Sequence, residues 1–127
     1  MDLVPNSPPV WQEFLLWHHL RKVPWPQQSH DALFVAHEGK LLAGVCMFPT
    51  DAGYVLVEHL STNPQEPLRD RHGAVVVLAS AVRVYCTVRG KHPIMVIRSR
   101  SIGRILQRLG YVYYPGAVFS APLGVKL

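Results

Sequence analysis

The chain has 127 residues, 49% of them hydrophobic, and a formal net charge of +5. This size and composition fit a single folded domain spanning residues 1–127 and argue against a disordered chain. His, Arg or Pro interrupts each apolar run before it reaches the length of a membrane span. The N-terminus shows no basic segment followed by an apolar one. We therefore expect a cytoplasmic protein without membrane contact.

The excess of positive charge lies in the second half of the sequence. It comes from Arg69, Arg71, Arg83, Arg89, Lys91, Arg98, Arg100, Arg104 and Arg108. Such a charge suits RNA, DNA, an acidic protein or a phosphorylated cofactor, and it does not choose among them. Aromatic residues are not interleaved with the basic ones along one strand, so the pattern does not favour a stacking platform for single-stranded nucleic acid.

The cysteines and histidines show no metal-binding spacing. Cys46 and Cys86 form no C-x-x-C pair, and we expect both to be buried, reduced thiols. His18 and His19 are adjacent in a predicted helix and point about 100° apart, so they do not chelate as histidines four residues apart do. The sequence therefore predicts no metal centre.

The first third of the chain predicts a strand and a helix. Residues 2–5 can form a short strand. Apolar residues then recur at helical spacing over residues 10–22, with Ser7 as N-cap and Pro8 at the first helical position. Pro24 and Pro26 end this helix, and residues 25–31 form a connecting loop.

The middle of the chain predicts a three-stranded antiparallel meander. Its strands are residues 32–37, 41–48 and 54–60, and the first two are joined by the tight turn Glu38-Gly39-Lys40. A polar turn follows, and then a largely apolar helix over residues 72–88 that Gly90 terminates.

The last third predicts a buried strand, a short helix and one or two final strands. The strand covers residues 92–97 and is continuously apolar, as expected for a central strand. The helix covers residues 102–109 and ends at Gly110. Residues 111–114 and 117–120 form the final strand region. The predicted order is β, α, three β, α, β, α, β.

This order of elements resembles the GCN5-related N-acetyltransferase (GNAT) superfamily over nearly the whole chain. The hairpin at residues 37–44 and the sequence Thr62-Asn63-Pro64 stand where the family has its hairpin and its V-x-P sequence. The segment Ile105-Leu106-Gln107-Arg108-Leu109-Gly110-Tyr111 is similar to the family's LYxKxGF. The resemblance implies an α/β (α+β) fold with a mixed, mainly antiparallel central sheet and helices on both faces.

The resemblance also implies a binding site for acetyl-CoA. In the family, V-x-P is followed by [Q/R]-x-x-G-x-[G/A], whose amides hold the pyrophosphate. The matching segment here has Arg69 and Ala74 in place, but His72 stands at the first glycine. The implied cofactor-binding residues, from the end of the preceding strand through this turn, are Leu60, Thr62, Arg69, Arg71, His72, Gly73 and Ala74.

The resemblance places one of the two expected catalytic groups. Glu58 lies four residues before the V-x-P position, where many members carry a glutamate that acts as general base. Leu106 occupies the position of the tyrosine that usually serves as general acid. Tyr111, Tyr113 and Tyr114 on the following strand are the candidates to replace it, although tyrosines in a sheet commonly serve in packing.

Three functions therefore remain open. The first is acetyl transfer to an amine of a small molecule or a protein. The second is a non-catalytic GNAT-fold protein that binds protein partners or itself, and it is motivated by His72, by Leu106 and by a front segment with one helix where the family usually has two. Its style resembles small proteins of tailed bacteriophages, which would place it in a virion or a host cytoplasm. The third is a basic nucleic-acid-binding module.

Overall fold

The computed structural model describes residues 1–27, 31–114 and 118–120, which form a seven-stranded sheet and three helices. Residues 28–30 of the predicted loop and residues 115–117 of the final strand region lie outside the described residues. The elements are β1 (Asp2–Val4), α1 (Pro8–Leu20), β2 (Asp31–His37), β3 (Lys40–Pro49), β4 (Tyr54–Thr62), α2 (Leu68–Val88), β5 (His92–Val96), α3 (Arg100–Arg108), β6 (Val112–Tyr114) and β7 (Val118–Ser120).

The sheet is mixed and mainly antiparallel, as predicted. Its strand order is β1-β2-β3-β4-β5-β7-β6, and the pairing of β4 with β5 is the parallel one. The β2-β3-β4 meander is confirmed. Glu38 and Gly39 both have positive φ, 51° and 77°, which suits the tight two-residue turn of the first hairpin.

Helix α1 covers one face of the sheet with an aromatic cluster. Phe14 and Trp17 pack there against Phe34, Leu41 and Cys46. Gly44 of β3 lies beneath this cluster, and a Cβ at that position would come within 2.6 Å of the Phe34 ring. The missing side chain therefore lets the two phenylalanine rings lie directly on the strand, because a close-packed core has no room for another carbon.

Helices α2 and α3 contribute to a second, larger core on the opposite face. Ala74, Leu78, Val82 and Cys86 of α2 are buried there together with Leu106 of α3. Helices on both faces are thus confirmed, and so is the prediction that Cys46 and Cys86 are buried free thiols. In the described part of the chain, no helix is long and apolar enough to cross a membrane.

The predicted starts of the last two helices are wrong. Helix α2 begins at Leu68, four residues before the predicted residue 72, and the carbonyl of Pro67 accepts hydrogen bonds from the amides of Asp70 (3.0 Å) and Arg71 (3.1 Å). The first turn carries two arginines and an aspartate and lacks a Ser, Thr or Asn cap, so its sequence is typical of a polar loop. Helix α3 begins at Arg100, with Ser99 at the N-cap position.

Strand β4 separates from β5 about halfway along the length of β4. Their pairing ends at Val57 and Met95. On its other side, β4 shifts register against β3: Cys46 faces Glu58, whereas Gly44 faces Ser61. Two steps on β3 thus match three steps on β4, which is a β-bulge, and His59 within it has a φ of 59°. Beyond Val57 the strand bends away from β5, and a cleft opens.

Candidate functional site

The cleft between β4 and β5 has a volume of about 390 Å³ and is lined by five segments of the chain. Its β4 wall is the stretch of residues 58–62. The end of α1 with the loop after it, the start of α2, the end of β5 and the start of α3 complete the lining. A cavity of this size, open between two strands of a sheet and surrounded by helix ends, can hold part of a small-molecule cofactor.

Five of the eight predicted site residues line this cleft. These residues are Glu58, Leu60, Thr62, Arg71 and His72. The bulge accounts for the β4 residues, because it interrupts the alternation of an ordinary strand and lets successive residues contribute to one wall. The spacing in the sequence thus points to the end of β4 that lines the cleft.

The other three predicted residues do not line the cleft. Ala74 is fully buried in the core under α2. Gly73 faces the N-terminus, where a Cβ would come 2.9 Å from Met1 Cε, and Arg69 is exposed on the first turn of α2. Because α2 begins at Leu68, Gly73 and Ala74 fall in its second turn, where amides bond within the helix. The backbone amides that lack a hydrogen-bond acceptor within the helix are instead those of its first turn.

The cleft is strongly cationic. Its lining combines three arginines and three histidines with one carboxylate, that of Glu58: Arg21, Arg71, Arg98, His18, His59 and His72. The sequence pattern missed Arg21, Arg98 and His18, which come from segments far apart in the chain. It also missed His59, which lines the same wall as its neighbour Glu58 because of the bulge. In the sequence, Arg21 stands out only as a basic residue at a helix C-terminus. A basic residue there interacts favourably with the helix dipole, so its position does not by itself indicate a binding site.

Glu58 and His59 lie next to each other at the bulge. The Nε2 of His59 is 3.7 Å from a carboxylate oxygen of Glu58, and both side chains are partly exposed to the cleft. Burial lowers the pKa of His59, Glu58 opposes that shift, and Arg98 adds to it. His59 is therefore neutral at pH 7 and can accept a proton.

Burial also lowers the pKa of two residues from α1 and its C-cap. His18 is 3% exposed, its Nδ1 donates to the Phe14 carbonyl over 2.8 Å, and burial is the main cause that lowers its pKa. Arg21 extends to β4, where its Nη1 donates to Ser61 Oγ (2.9 Å) and its Nη2 to Thr62 Oγ1 (3.3 Å). The pKa of Arg21 is lowered by burial and by the charge of Arg71.

Neither Leu106 nor Tyr111 can donate a proton in the cleft. Leu106 is fully buried in the core. Tyr111 is also buried, its hydroxyl donates to the Ala79 carbonyl over 3.0 Å, and burial raises its pKa. Tyr113 and Tyr114 lie outside the described side chains. Within the described residues, no three His, Cys, Asp or Glu side chains lie together in a way that could hold a metal ion.

Several of the basic residues are engaged in internal contacts. Arg83 donates to the carbonyl of Leu109, and Lys91 donates to the carbonyl of Thr50. The guanidinium of Arg89 lies over the ring of Tyr85, 3.5 Å from its centroid. Part of the positive charge of the chain therefore belongs to residues that have structural roles within the domain.

Comparisons with known proteins show the fold. No family model matches the sequence, and no curated protein matches it at the sequence level. Among solved structures, Ard1 from Thermoplasma volcanium superimposes with a TM-score of 0.67 and 8% identity over 94% of this chain and 93% of that one. A GNAT family acetyltransferase from Brucella melitensis, in complex with acetyl-CoA, gives 0.66 and 12% over 99% and 90%. Tetrahymena GCN5 gives 0.65 and 12% over 99% and 98%.

The resemblance found in the sequence is thus confirmed at the level of the fold. Identities of 8% to 12% are too low to transfer an activity, but the matches span nearly the whole chain on both sides. The protein has the GNAT fold, and the solved structures that share this fold with it include acetyltransferases.

Proposed function

We propose that the cleft binds an acyl-CoA, with acetyl-CoA as the expected donor, and that the protein transfers the acyl group to an amine. The observation that carries this proposal is the separation of β4 from β5 at the bulge. It leaves one edge of β4 without a strand partner, next to arginines and to the start of a helix. A solved structure of the same fold holds acetyl-CoA, which supports this choice of ligand.

The residues of the cleft fit such a molecule. The edge of β4 at residues 58–62 offers backbone amides and carbonyls to the amide groups of a pantetheine arm, with Leu60 and Thr62 beside it. Arg71 lies at the start of α2, and its Nε is buried without a hydrogen-bond partner. A buried donor left unpaired is unfavourable, so an anionic group placed there would satisfy it.

The bound thioester supplies an activated acyl carbon and a thiolate leaving group. The attacking amine must first lose a proton, because an ammonium group has no free electron pair. In this proposal Glu58, which lines the cleft, takes that proton, and neutral His59 at 3.7 Å from its carboxylate can share it. The amine nitrogen would then bond to the acyl carbon and the carbon–sulfur bond would break. The second proton lost by the nitrogen would pass to the departing thiolate, and Glu58 would release the first proton to solvent.

A tyrosine acid is not essential to this chemistry. A thiol has a pKa of about 8.5, so a thiolate is a good leaving group even without a proton donor. The arginines of the cleft favour the negative charge that develops on oxygen and sulfur during transfer. The position of Leu106 in the core is thus compatible with an active enzyme.

The second candidate is a GNAT-fold protein that binds the cofactor, a protein partner or a second copy without catalysis. The observation that favours it is the loss of a proton donor at Leu106, together with the engagement of the Tyr111 hydroxyl in the core. If the protein is an enzyme, the small molecule or protein that accepts the acyl group has to present an amine to the open side of the cleft. If it is not, a binding partner has to present a surface there.

The test is acetyl-CoA binding by calorimetry combined with thiol release in the presence of a panel of small amines and lysine peptides. We expect wild-type binding below about 1 mM, and Glu58→Gln should keep binding while transfer falls about 10²- to 10⁴-fold. Glu38→Gln, which removes an exposed carboxylate from the first hairpin, is the matched control.

Each result decides between the candidates. Binding without transfer to any amine supports the non-catalytic role. No binding at about 1 mM acetyl-CoA overturns the proposal as a whole. Equal transfer rates in Glu58→Gln and wild type would remove Glu58 as the base while leaving cofactor binding in place.

A further inference from the structure

We propose that Arg21 and Arg71 form a clamp for a diphosphate, in which two guanidinium groups replace backbone amides as the main phosphate ligands. We call this pair the two-arginine clamp. It rests on the proposed function in one respect, since the diphosphate we expect there is that of coenzyme A. Arg21, which comes from the end of α1, has no place in the sequence motif that the fold suggests.

Arg21 is held in position by β4. Its Nη1 and Nη2 donate to the hydroxyls of Ser61 and Thr62, and these two residues are each 7% exposed. Two rigid acceptors therefore orient the guanidinium. A guanidinium has five N–H donors, so three remain for a ligand, and the side chain lines the cleft.

Arg71 faces the same cleft from the first turn of α2. Its Nε has no hydrogen-bond partner and is shielded from solvent. A charged group with a buried, unpaired donor is unfavourable unless a ligand supplies the acceptor. Arg71 is thus prepared for an anion that protein groups do not provide.

The two arginines repel each other and have no acidic partner in the described part of the chain. The charge of Arg71 is close enough to affect the ionisation of Arg21. Neither residue takes part in any ion pair found among the described residues. Two cations held together without a counterion are stabilised when an anion binds between them.

The chemistry of the pair indicates a diphosphate in particular. Each planar guanidinium group can bind two oxygens at once. The two phosphoryl groups of a diphosphate can therefore each offer a pair of oxygens to one guanidinium. The start of α2 adds the favourable end of a helix dipole. His72 stands where the family pattern has a glycine, so a backbone cradle is hindered at that point and side chains take over.

A diphosphate can come from coenzyme A or from a free nucleoside diphosphate, and binding experiments separate the two. Calorimetry is carried out with coenzyme A, ADP, inorganic pyrophosphate and pantetheine, which lacks the diphosphate. The variants are Arg21→Gln, Arg71→Gln, Arg21→Lys and Arg71→Lys. Arg104→Gln is the control, since it removes the same charge from an exposed position of α3 outside the cleft.

We expect Arg21→Gln and Arg71→Gln each to weaken binding of coenzyme A and pyrophosphate at least about tenfold. The lysine variants keep the charge but not the fork, so they should lie between glutamine and wild type. Arg104→Gln should stay within about twofold at physiological salt, because screening removes distant surface charges. Thermal unfolding shows whether each variant folds, and the lysine variants carry the test if a glutamine variant does not.

The outcomes separate the clamp from the proposed function. Coenzyme A binding that is equally tight in Arg21→Gln, Arg71→Gln and Arg104→Gln overturns the clamp and leaves the proposed function standing. Binding of ADP or pyrophosphate but not of coenzyme A, with the same losses in the variants, supports the clamp and overturns the proposed function. A wild-type protein that binds none of the phosphorylated ligands overturns both.

Discussion

His18 is the residue at which burial and ionisation conflict most directly. Its imidazole is almost fully buried beside Phe14, in ring contact with His59, and it faces the positive charge of Arg21. The sequence analysis treated His18 and His19 alike, as adjacent residues that do not chelate a metal. The structure separates the two: His18 faces inward and His19 is exposed. The tertiary contacts of α1 decide this difference, because adjacent helical residues point in different directions.

This environment predicts a loss of stability in mild acid. Because burial lowers the pKa of His18 below its usual 6.5, the unfolded chain binds a proton more readily than the folded one. The contribution of neutral His18 to the free energy of unfolding is fully present above about pH 6.5 and is lost as the pH falls below that value. Between about pH 7.5 and 5.5 the free energy of unfolding should therefore fall, and the part of this fall that is due to His18 should be absent from a variant without the imidazole.

Urea unfolding of wild type, His18→Gln and His19→Gln at both pH values measures this effect. His18→Gln should flatten the pH dependence, whereas His19→Gln, which changes the exposed neighbour, should not. The comparison uses the difference between the two pH values for each protein, so a constant loss of packing in His18→Gln cancels. Identical slopes in all three proteins would show that His18 does not titrate differently on folding.

At the scale of elements, helix α3 shows why the segment that resembles LYxKxGF does not bring a proton donor to the cleft. The segment that resembles LYxKxGF forms the end of α3 and the entry to β6, with Gly110 at a φ of 90° as the pattern requires. Leu106 lies on the face of α3 that packs against α2. The local sequence predicts the helix and its end, but the packing of α3 determines which of its side chains reach the cleft.

Restoring a tyrosine at this position should therefore destabilise the protein without supplying an acid. Leu106 is fully buried, so Leu106→Tyr adds volume and a hydroxyl to a close-packed core and should cost about 1–3 kcal/mol. Leu106→Met, which conserves volume, should cost less than about 1.5 kcal/mol. Chemical unfolding measures both variants. A Leu106→Tyr protein that is as stable as Leu106→Met and transfers faster than wild type would show that α3 can present this side chain to the cleft.

At the scale of the whole molecule, the cleft divides the sheet. Strands β5, β7 and β6 are joined to the rest through four paired positions between β4 and β5 and through packing beneath α2. A ligand in the cleft contacts both halves, since its walls include β4 on one side and the end of β5 with the start of α3 on the other. The function we propose therefore depends on how these two halves are held together.

Ligand binding should reduce local opening of the cleft. Hydrogen exchange of backbone amides in β5 and α3 should slow on addition of saturating acetyl-CoA, while amides of the β2–β3 hairpin change little. The hairpin lies outside the cleft lining and is an internal control. Protection confined to the hairpin, or absent from β5 and α3, would place the ligand elsewhere on the protein.

The sequence by itself determines the order of elements, the β2-β3-β4 meander, and the turns at Gly39, Gly90 and Gly110. These features depend on local properties of the sequence: the spacing of hydrophobic residues, the residues in turns and the residues at helix ends. Such local patterns are present here although sequence identity to solved structures of the same fold is near 10%.

The tertiary structure alone decides which side chains meet in the cleft. It begins α2 at Leu68, which places Gly73 and Ala74 away from the cleft, and it brings Arg21 of α1 beside Arg71 of α2. These two arginines are 50 residues apart in the chain, so no local pattern relates them. Their meeting in one cleft depends on how α1 and α2 lie relative to the bulge of β4, which is a matter of packing and not of sequence spacing.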